Sequence, residues 1–295
     1  MQIIRRKTAL RALTQSWRRA GETIGVVPTM GALHAGHLSL VEAARTGTDH
    51  VIVTLFVNPR QFNNPEDLAK YPRTEESDAE KLAPFGIDVL YIPEPEEIYP
   101  DGFATTISVS GVSDGLCGTT RPGHFDGVAT VVTKLLLQTD ADRAYFGKKD
   151  YQQLQVVKRL ATDLDLKTKI VGCPTIREDD GLAMSSRNLR LGAGPRETAP
   201  VIARVLTAAA NVIARGGNVA QALDTARKAL LAAGFDSIDY LELRSDPDLH
   251  LMSKADRPGR LFLAAWLDGV RLIDNVSVAG LQKAANSEGR PLERA

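Results

Sequence analysis

The chain has 295 residues, 43% hydrophobic, 24% charged and 5% aromatic, and its 36 basic and 36 acidic side chains cancel. This composition is typical of a folded globular protein and excludes disordered and fibrous classes. The length favours two domains, and the neutral total charge lacks the basic excess of a dedicated nucleic-acid binder, so we expect small-molecule partners and no nucleic acid.

The first twenty residues carry charges where a secretory peptide would have an apolar region. No apolar run approaches the ~20 residues that a membrane span requires. We therefore expect a cytoplasmic protein with no membrane partner. Cys117 and Cys173 are far apart in the sequence and have no CxxC spacing, which predicts two ordinary thiols.

Short apolar runs alternate with helical patterns from residue 23 onward. Predicted strands cover residues 23–28, 50–58, 87–93, 143–147 and 167–174, and predicted helices cover 38–45, 76–86, 125–138 and 150–164. Strands that alternate with helices pair in parallel through right-handed crossovers. The pattern predicts an α/β fold with a doubly wound, Rossmann-like parallel sheet.

The pattern changes after Ile176. Two long helical stretches, 197–217 and 218–234, precede three short strands at 238–245, 259–267 and 270–278. Asp268 and Gly269 between the last two strands are a hairpin signal. We therefore predict a nucleotide-binding domain over residues 1–176 and a smaller C-terminal α+β domain over 177–295, which covers the active site.

The stretch PTMGALHAGH follows the first predicted strand of this alternating series and leads into a helix. Ligands of doubly wound sheets bind beyond the carboxyl ends of the strands, where helix N-termini attract anions. Gly31 and Gly36 allow a close backbone approach, and His34 and His37 project from nearly the same side of the first turn. The stretch favours a phosphate chain. A zinc site, which lacks a third ligand here, and a pair of core histidines are the alternatives.

Six motifs in order carry a family resemblance: HAGH, FVNPRQF, YPRT, RPGHFDGV, FGKKDYQQL and LAMSSRN. Together they resemble the pantothenate synthetases, or pantoate–β-alanine ligases, of the HxGH nucleotidyltransferase superfamily. The resemblance implies an AMP-forming ligase that condenses (R)-pantoate with β-alanine, using ATP, through a pantoyl adenylate. Its place would be in pantothenate biosynthesis, which supplies a coenzyme A precursor. Another small-acid adenylyltransferase and a catalytically silent nucleotide-binding protein are the alternatives.

The resemblance also implies roles for individual residues. His34, His37 and Lys149 would be catalytic, with His37 as the proton donor. Gln61 and Gln153 would bind pantoate, and Gln61 would also contact β-alanine. The implied ATP-binding residues are Met30, Gly31, Ala32, Leu33, His34, Ala35, Gly36, His37, Gly147, Lys148, Lys149, Asp150, Ile176, Met184, Ser185, Ser186 and Arg187.

The resemblance further implies a homodimer and Mg²⁺ bound mainly through the phosphates of ATP, with Asp78 as a protein contact of the ion. Arg60 and Lys148 are charged where the family usually has an uncharged and an acidic residue, respectively. Polar residues and two prolines over 63–74 suit a mobile flap over the pantoate pocket.

Around the lysine doublet, the residues themselves give a local prediction. Asp150 and Gln153 have the spacing of a capping box at the start of a helix. Lys149 then precedes a helix N-terminus, which is the positive end of the helix dipole. A cation is favoured there only if an anion lies between the cation and the helix. Lys148 is expected to point elsewhere, as a solvated charge.

Overall fold

The computed structural model of the chain describes residues 1–63, 65–69 and 71–280. The strands of its larger sheet are β1 (Gln2–Ile4), β2 (Ile24–Thr29), β3 (His50–Leu55), β4 (Val89–Tyr91), β5 (Arg143–Gly147) and β6 (Lys169–Cys173). They lie in the order β1-β4-β3-β2-β5-β6, and all neighbouring strands run parallel. The predicted doubly wound sheet is confirmed.

Helices cover both faces of this sheet. Val26 on β2 packs into a first hydrophobic cluster with residues of two helices, His124–Thr139 and Tyr151–Asp163, whereas its neighbour Val27 packs into a second cluster with residues of the helix Ala35–Gly47. Successive side chains of a strand point to opposite faces, so both faces are buried. The helices of this part are α1 (Lys7–Arg19), α2 (Ala35–Gly47), α3 (Pro65–Ala69), α4 (Glu75–Leu82), α5 (Pro95–Ile98), α6 (Leu116–Thr120), α7 (His124–Thr139) and α8 (Tyr151–Asp163).

The C-terminal part contains an antiparallel sheet of β7 (Ser237–Ser245), β8 (Gly259–Leu267) and β9 (Val270–Val278). Helices α9 (Ala193–Thr198), α10 (Val201–Ala214) and α11 (Val219–Ala232) precede it. Asp268 and Gly269 both have positive φ, 52° and 67°, as a two-residue hairpin turn of the expected kind requires.

A third hydrophobic cluster forms around this C-terminal sheet. Tyr240, Phe262 and Ala264 instead belong to the first cluster, so the two parts share a buried contact. The boundary between residues 176 and 177 stays a prediction.

One helical stretch among the described residues, Ala193–Ala214, is long and apolar enough to cross a membrane. The expectation that no segment approaches such a length is therefore too strict. Ile202 and Leu206 of this stretch are fully buried in the third hydrophobic cluster. The stretch thus buries one apolar face against the C-terminal part, as an amphipathic helix of a globular protein does.

Candidate active site

A cavity of about 230 Å³ lies beyond the carboxyl ends of β2 and β5. Here β2 has β3 on one side and β5 on the other, so the strand order reverses between β2 and β5, as at other ligand-binding crevices of α/β sheets. The predicted site residues that line it are Met30, His34, Gly36, His37, Gln61, Gly147, Lys149, Asp150, Gln153, Ile176, Met184, Ser185, Ser186 and Arg187. Those of the predicted ATP-binding set that do not line it are Gly31, Ala32, Leu33, Ala35 and Lys148.

The two histidines of the first loop are held by backbone N–H groups. His34 is the N-cap of α2, and its Nδ1 accepts from the N–H of Gly36 at 3.1 Å. Nδ1 of His37 accepts from the N–H of His34 at 3.4 Å, and the ring centroids are 4.1 Å apart. Because each Nδ1 accepts, the proton of each neutral ring is on Nε2. Both rings can therefore donate a hydrogen bond from Nε2.

The carboxylate of Asp78 holds the loop that precedes His34. It is fully buried, and it accepts from the N–H groups of Ala32 and Leu33, both at 2.8 Å, and from Oγ1 of Thr74 at 2.9 Å. Nζ of Lys81 lies 3.7 Å away. Because this carboxylate is buried and already accepts three hydrogen bonds, Asp78 supports the loop. The geometry does not favour Asp78 as a metal contact.

The glycine before these N–H groups is required by the same packing. Gly31 has a φ of +89°, and a Cβ there would lie 2.9 Å from Leu55 Cδ2 and 3.2 Å from an oxygen of Asp78. A side chain at this position would strain the backbone and displace the carboxylate. Gly31 therefore shapes the loop without lining the cavity.

The two lysines of the doublet have different surroundings. The side chain of Lys149 is 18% exposed, lines the cavity and lies 3.8 Å from Oδ2 of Asp150. Lys148 is exposed, and its side chain lies near Gly172 and Cys173, outside the cavity lining. The described structure thus separates the two cations, as the sequence predicts.

The predicted capping box at α8 is wrong. Asp150 has a φ of −95° and a ψ of 58°, and its side chain makes no cap hydrogen bond. A short 3-10 turn, Lys148–Asp150, leads into the helix and turns the carboxylate of Asp150 towards Lys149. Asp150 and Gln153 line the cavity instead of bonding to the first turn of α8.

Gln61 is held by three residues for which the sequence predicts no role, Asn58, Arg121 and His124. Its carbonyl oxygen accepts from Nδ1 of His124 at 2.8 Å and from Nη2 of Arg121 at 3.1 Å. Nη1 of Arg121 donates to Nε2 of His124, which leaves the proton of that ring on Nδ1. The side-chain Oε1 of Gln61 accepts from Nδ2 of Asn58 at 3.2 Å. Arg121 and His124 thus hold the backbone of Gln61, and Asn58 orients its side chain, which lines the cavity.

Arg60, one of the two departures from the family pattern, points away from the cavity lining. Its guanidinium lies over the rings of Tyr99 and Phe103, 4.7 and 4.9 Å from their centroids. Arg60 lies in a short 3-10 turn, Pro59–Gln61. Gly127 of α7 allows close packing against this turn, since a Cβ at Gly127 would lie 2.3 Å from the carbonyl oxygen of Arg60. The extra charge is therefore held in a cation–π contact.

Ser185, Ser186 and Arg187 lie in one loop that lines the cavity. The N–H of Met184 donates to the carbonyl of Ile176 at 3.0 Å, and Oγ of Ser185 accepts from the N–H of Arg187 at 3.2 Å. The hydroxyl of Tyr71 hydrogen-bonds to Ser186, which joins the segment 63–74 to this loop. Asn64 and Lys70 of that segment lie outside the described residues, and its mobility stays a prediction.

The family model of the pantoate-beta-alanine ligases matches residues 2–277. The chain belongs to this family. It is 64% identical over 277 residues to the pantothenate synthetase of Chelativorans sp., a match that covers 94% of this chain and 98% of the relative. The pantothenate synthetase of Ruegeria pomeroyi is 60% identical over 279 residues, with 95% and 98% coverage.

Solved structures agree with this assignment. A pantothenate synthetase from Thermus thermophilus has 44% identity and a TM-score of 0.89, and the match covers 95% of this chain and 100% of that one. A pantoate-beta-alanine ligase from Francisella tularensis, in complex with beta-gamma ATP and β-alanine, has 38% identity and a TM-score of 0.79, with 94% and 97% coverage. The chain is therefore a ligase that forms pantothenate.

Burial keeps both histidines of this ligase neutral. It lowers the pKa of His34 to about 4, with the charge of Lys149 acting in the same direction, and it lowers the pKa of His37 to about 3, with His34 adding to the effect. His50, by contrast, has its pKa raised: burial opposes the charged form, but hydrogen bonds to Asp88 and Glu22 outweigh that effect.

We expect the ring proton signals of His34 and His37 to stay unchanged from about pH 8 down to about pH 5 in NMR spectra of the unliganded enzyme. His50 should titrate above 6.5, the ordinary histidine value. Below about pH 6.5 the unfolded chain binds one proton on each of His34 and His37, whereas the folded chain does not. The free energy of unfolding should therefore decrease as the pH falls below that value. The two signals can be assigned with single alanine variants. If either of them shifts near pH 6.5, the prediction that both rings are neutral is wrong.

The zinc alternative for these histidines finds no support in the described residues. They contain no group of three or more His, Cys, Asp or Glu side chains arranged to hold a metal ion. His34 and His37 also use their Nδ1 atoms to accept from the loop backbone. The pair is arranged to present two donors to an anion.

Proposed function

We propose that this ligase condenses (R)-pantoate with β-alanine in two steps at this cavity. A carboxylate oxygen of pantoate attacks the α-phosphorus of ATP, which breaks the bond to the β-phosphate and releases pyrophosphate. The amine of β-alanine then attacks the acyl carbon of pantoyl adenylate. AMP leaves with the bridging oxygen, the ammonium proton passes to solvent, and pantothenate is formed.

The observation that carries this proposal is that phosphate-binding groups and two glutamines line one cavity. His34, His37, Lys149 and the Ser185–Arg187 loop line the same cavity as Gln61 and Gln153. The first group supplies donors and positive charge for a triphosphate, with His37 in the role of proton donor. Neutral amides donate and accept, so they can hold pantoate without neutralising its attacking carboxylate.

Ile176 and Met184 complete the ATP site in this proposal. Both line the cavity and are linked through the backbone hydrogen bond between them, with Ile176 packing near the adenine. No enzyme nucleophile is required, because the reacting groups need alignment and charge stabilisation. Gln61 also contacts β-alanine.

Mg²⁺ would be bound mainly by the phosphates of ATP, because it retains waters and needs few protein ligands. Asp150 is the one carboxylate that lines the cavity among the described residues, which fits such a site. When bound, the ion would neutralise charge on the triphosphate. A homodimer in the cytoplasm is also part of this proposal, and both features come from the family resemblance.

Pyrophosphate exchange into ATP tests the proposed function. Labelled pyrophosphate should enter ATP in the presence of pantoate and Mg²⁺ without β-alanine, because the adenylation step is reversible. Adding β-alanine should release AMP. Exchange that ignores pantoate but responds to another acid would assign the chain a different substrate, and no exchange with any acid would indicate a silent nucleotide-binding protein.

A further inference from the structure

Asn275 lies on β9, outside the lining of the cavity, and is 4% exposed. Its Nδ2 donates to the carbonyl oxygens of Lys148 and Lys149, at 3.0 and 2.7 Å. Its Oδ1 accepts from Nη1 of Arg260 at 2.7 Å. Because a carbonyl only accepts and a guanidinium only donates, these partners fix which end of the amide faces the turn.

Both carbonyls belong to the turn from which the Lys149 side chain enters the cavity. They precede Tyr151, the first residue of α8, and the side chain of Asp150 does not cap that helix. Buried carbonyl groups require partners. The amide of Asn275 supplies a partner for two consecutive carbonyls and so restricts the backbone on both sides of the Cα atom of Lys149.

Neighbouring contacts make this arrangement rigid. The guanidinium of Arg260 lies 3.9 Å from the ring centroid of Tyr151, and the hydroxyl of Tyr151 donates to Asp246. The residue before Asn275, Asp274, accepts two hydrogen bonds from Arg177, at 2.7 and 3.0 Å. Arg177 follows Ile176, which also lines the cavity. Two consecutive residues of β9 thus bond to two segments next to the cavity, the turn that carries Lys149 and the residue after Ile176.

We propose that Asn275 is a positioning residue for Lys149. It fixes the turn so that the ammonium group is aimed at the phosphate position beside His34 and His37, and it touches no substrate itself. This inference rests on the proposed phosphate contact of Lys149. It extends the site to a residue more than one hundred positions away in the sequence.

The first test compares Asn275→Leu with Gln138→Leu. Gln138 is a matched buried amide, 5% exposed, which accepts from the Tyr91 hydroxyl at 2.8 Å and donates to the Glu97 carbonyl at 2.9 Å, outside the cavity lining. Both variants should lose thermal stability. Only Asn275→Leu should lower the kcat of pyrophosphate exchange, by about 10- to 100-fold, with the KM for pantoate changed by less than about twofold. Equal kcat losses in both variants would overturn the positioning role.

The second test introduces Asn275→Leu into Lys149→Ala. If Asn275 acts through Lys149, it should change the residual rate by less than about twofold in that background. Independent, multiplying losses would overturn this inference alone, whereas a fully active Lys149→Ala would overturn the proposed function and this inference with it. If Asn275→Leu does not fold, Asn275→Ser, which keeps one donor, takes its place. It should give a smaller loss of kcat, and that loss should disappear in the Lys149→Ala background. A loss of kcat that persists in that background overturns the inference.

Discussion

Replacing His37 or His34 by alanine should lower pantoate-dependent pyrophosphate exchange by about 10²-fold or more, the usual effect of removing a preorganised donor to a developing charge. Both rings are fixed by backbone N–H groups at Nδ1, so each presents Nε2–H without reorganisation. The rings are also neutral in the unliganded enzyme, because burial lowers each pKa. Purified variants should be compared at saturating ATP and pantoate.

His250→Ala is the matched control, because His250 is exposed and does not line the cavity. It should leave exchange unchanged. Full activity in either loop variant would show that the phosphates bind elsewhere. Loss of activity that coincides with the release of bound zinc would restore the metal interpretation.

Lys149→Ala should abolish most of the exchange activity, by about 10²-fold or more, whereas Lys148→Ala should change it by less than about fivefold, or under about 1 kcal/mol in the barrier. The two residues are adjacent and chemically identical, so the pair controls for net charge. Lys149 lines the cavity, while Lys148 lies near Gly172 and Cys173. Single-turnover rates of adenylate formation give the comparison.

Comparable losses in the two lysine variants would mean that net positive charge near the cavity matters more than position. The reverse order would place the phosphate on Lys148. Circular dichroism spectra of both variants should match that of the wild-type chain, since neither ammonium group is fully buried.

The fold was predictable where a residue pattern is local and repeated. β5, β8 and β9 match the predicted ranges residue for residue, because turn signals bound each apolar run. β4 is shorter than predicted, three residues at Val89–Tyr91. β1 and α1 were not predicted; a three-residue edge strand has no internal periodicity.

The site was predictable only for residues that carry the chemistry in their own motif. The HxGH loop and the separation of the two lysines follow from adjacent residues. Asp78, His124 and Asn275 act through partners distant in the sequence, and their contacts depend on tertiary packing. The capping-box prediction failed for the same reason, since the backbone before α8 is fixed by β9 and not by Asp150.

Oxygen transfer from pantoate to AMP is the most direct measurement of the proposed adenylate. Pantoate labelled with ¹⁸O at both carboxylate oxygens is incubated with ATP, Mg²⁺, β-alanine and enzyme, and the products are analysed by mass spectrometry. Attack at the α-phosphorus predicts AMP that carries one ¹⁸O and pantothenate that keeps the other in its amide carbonyl. Unlabelled AMP, or label in inorganic phosphate after attack at the γ-phosphorus, would contradict the account.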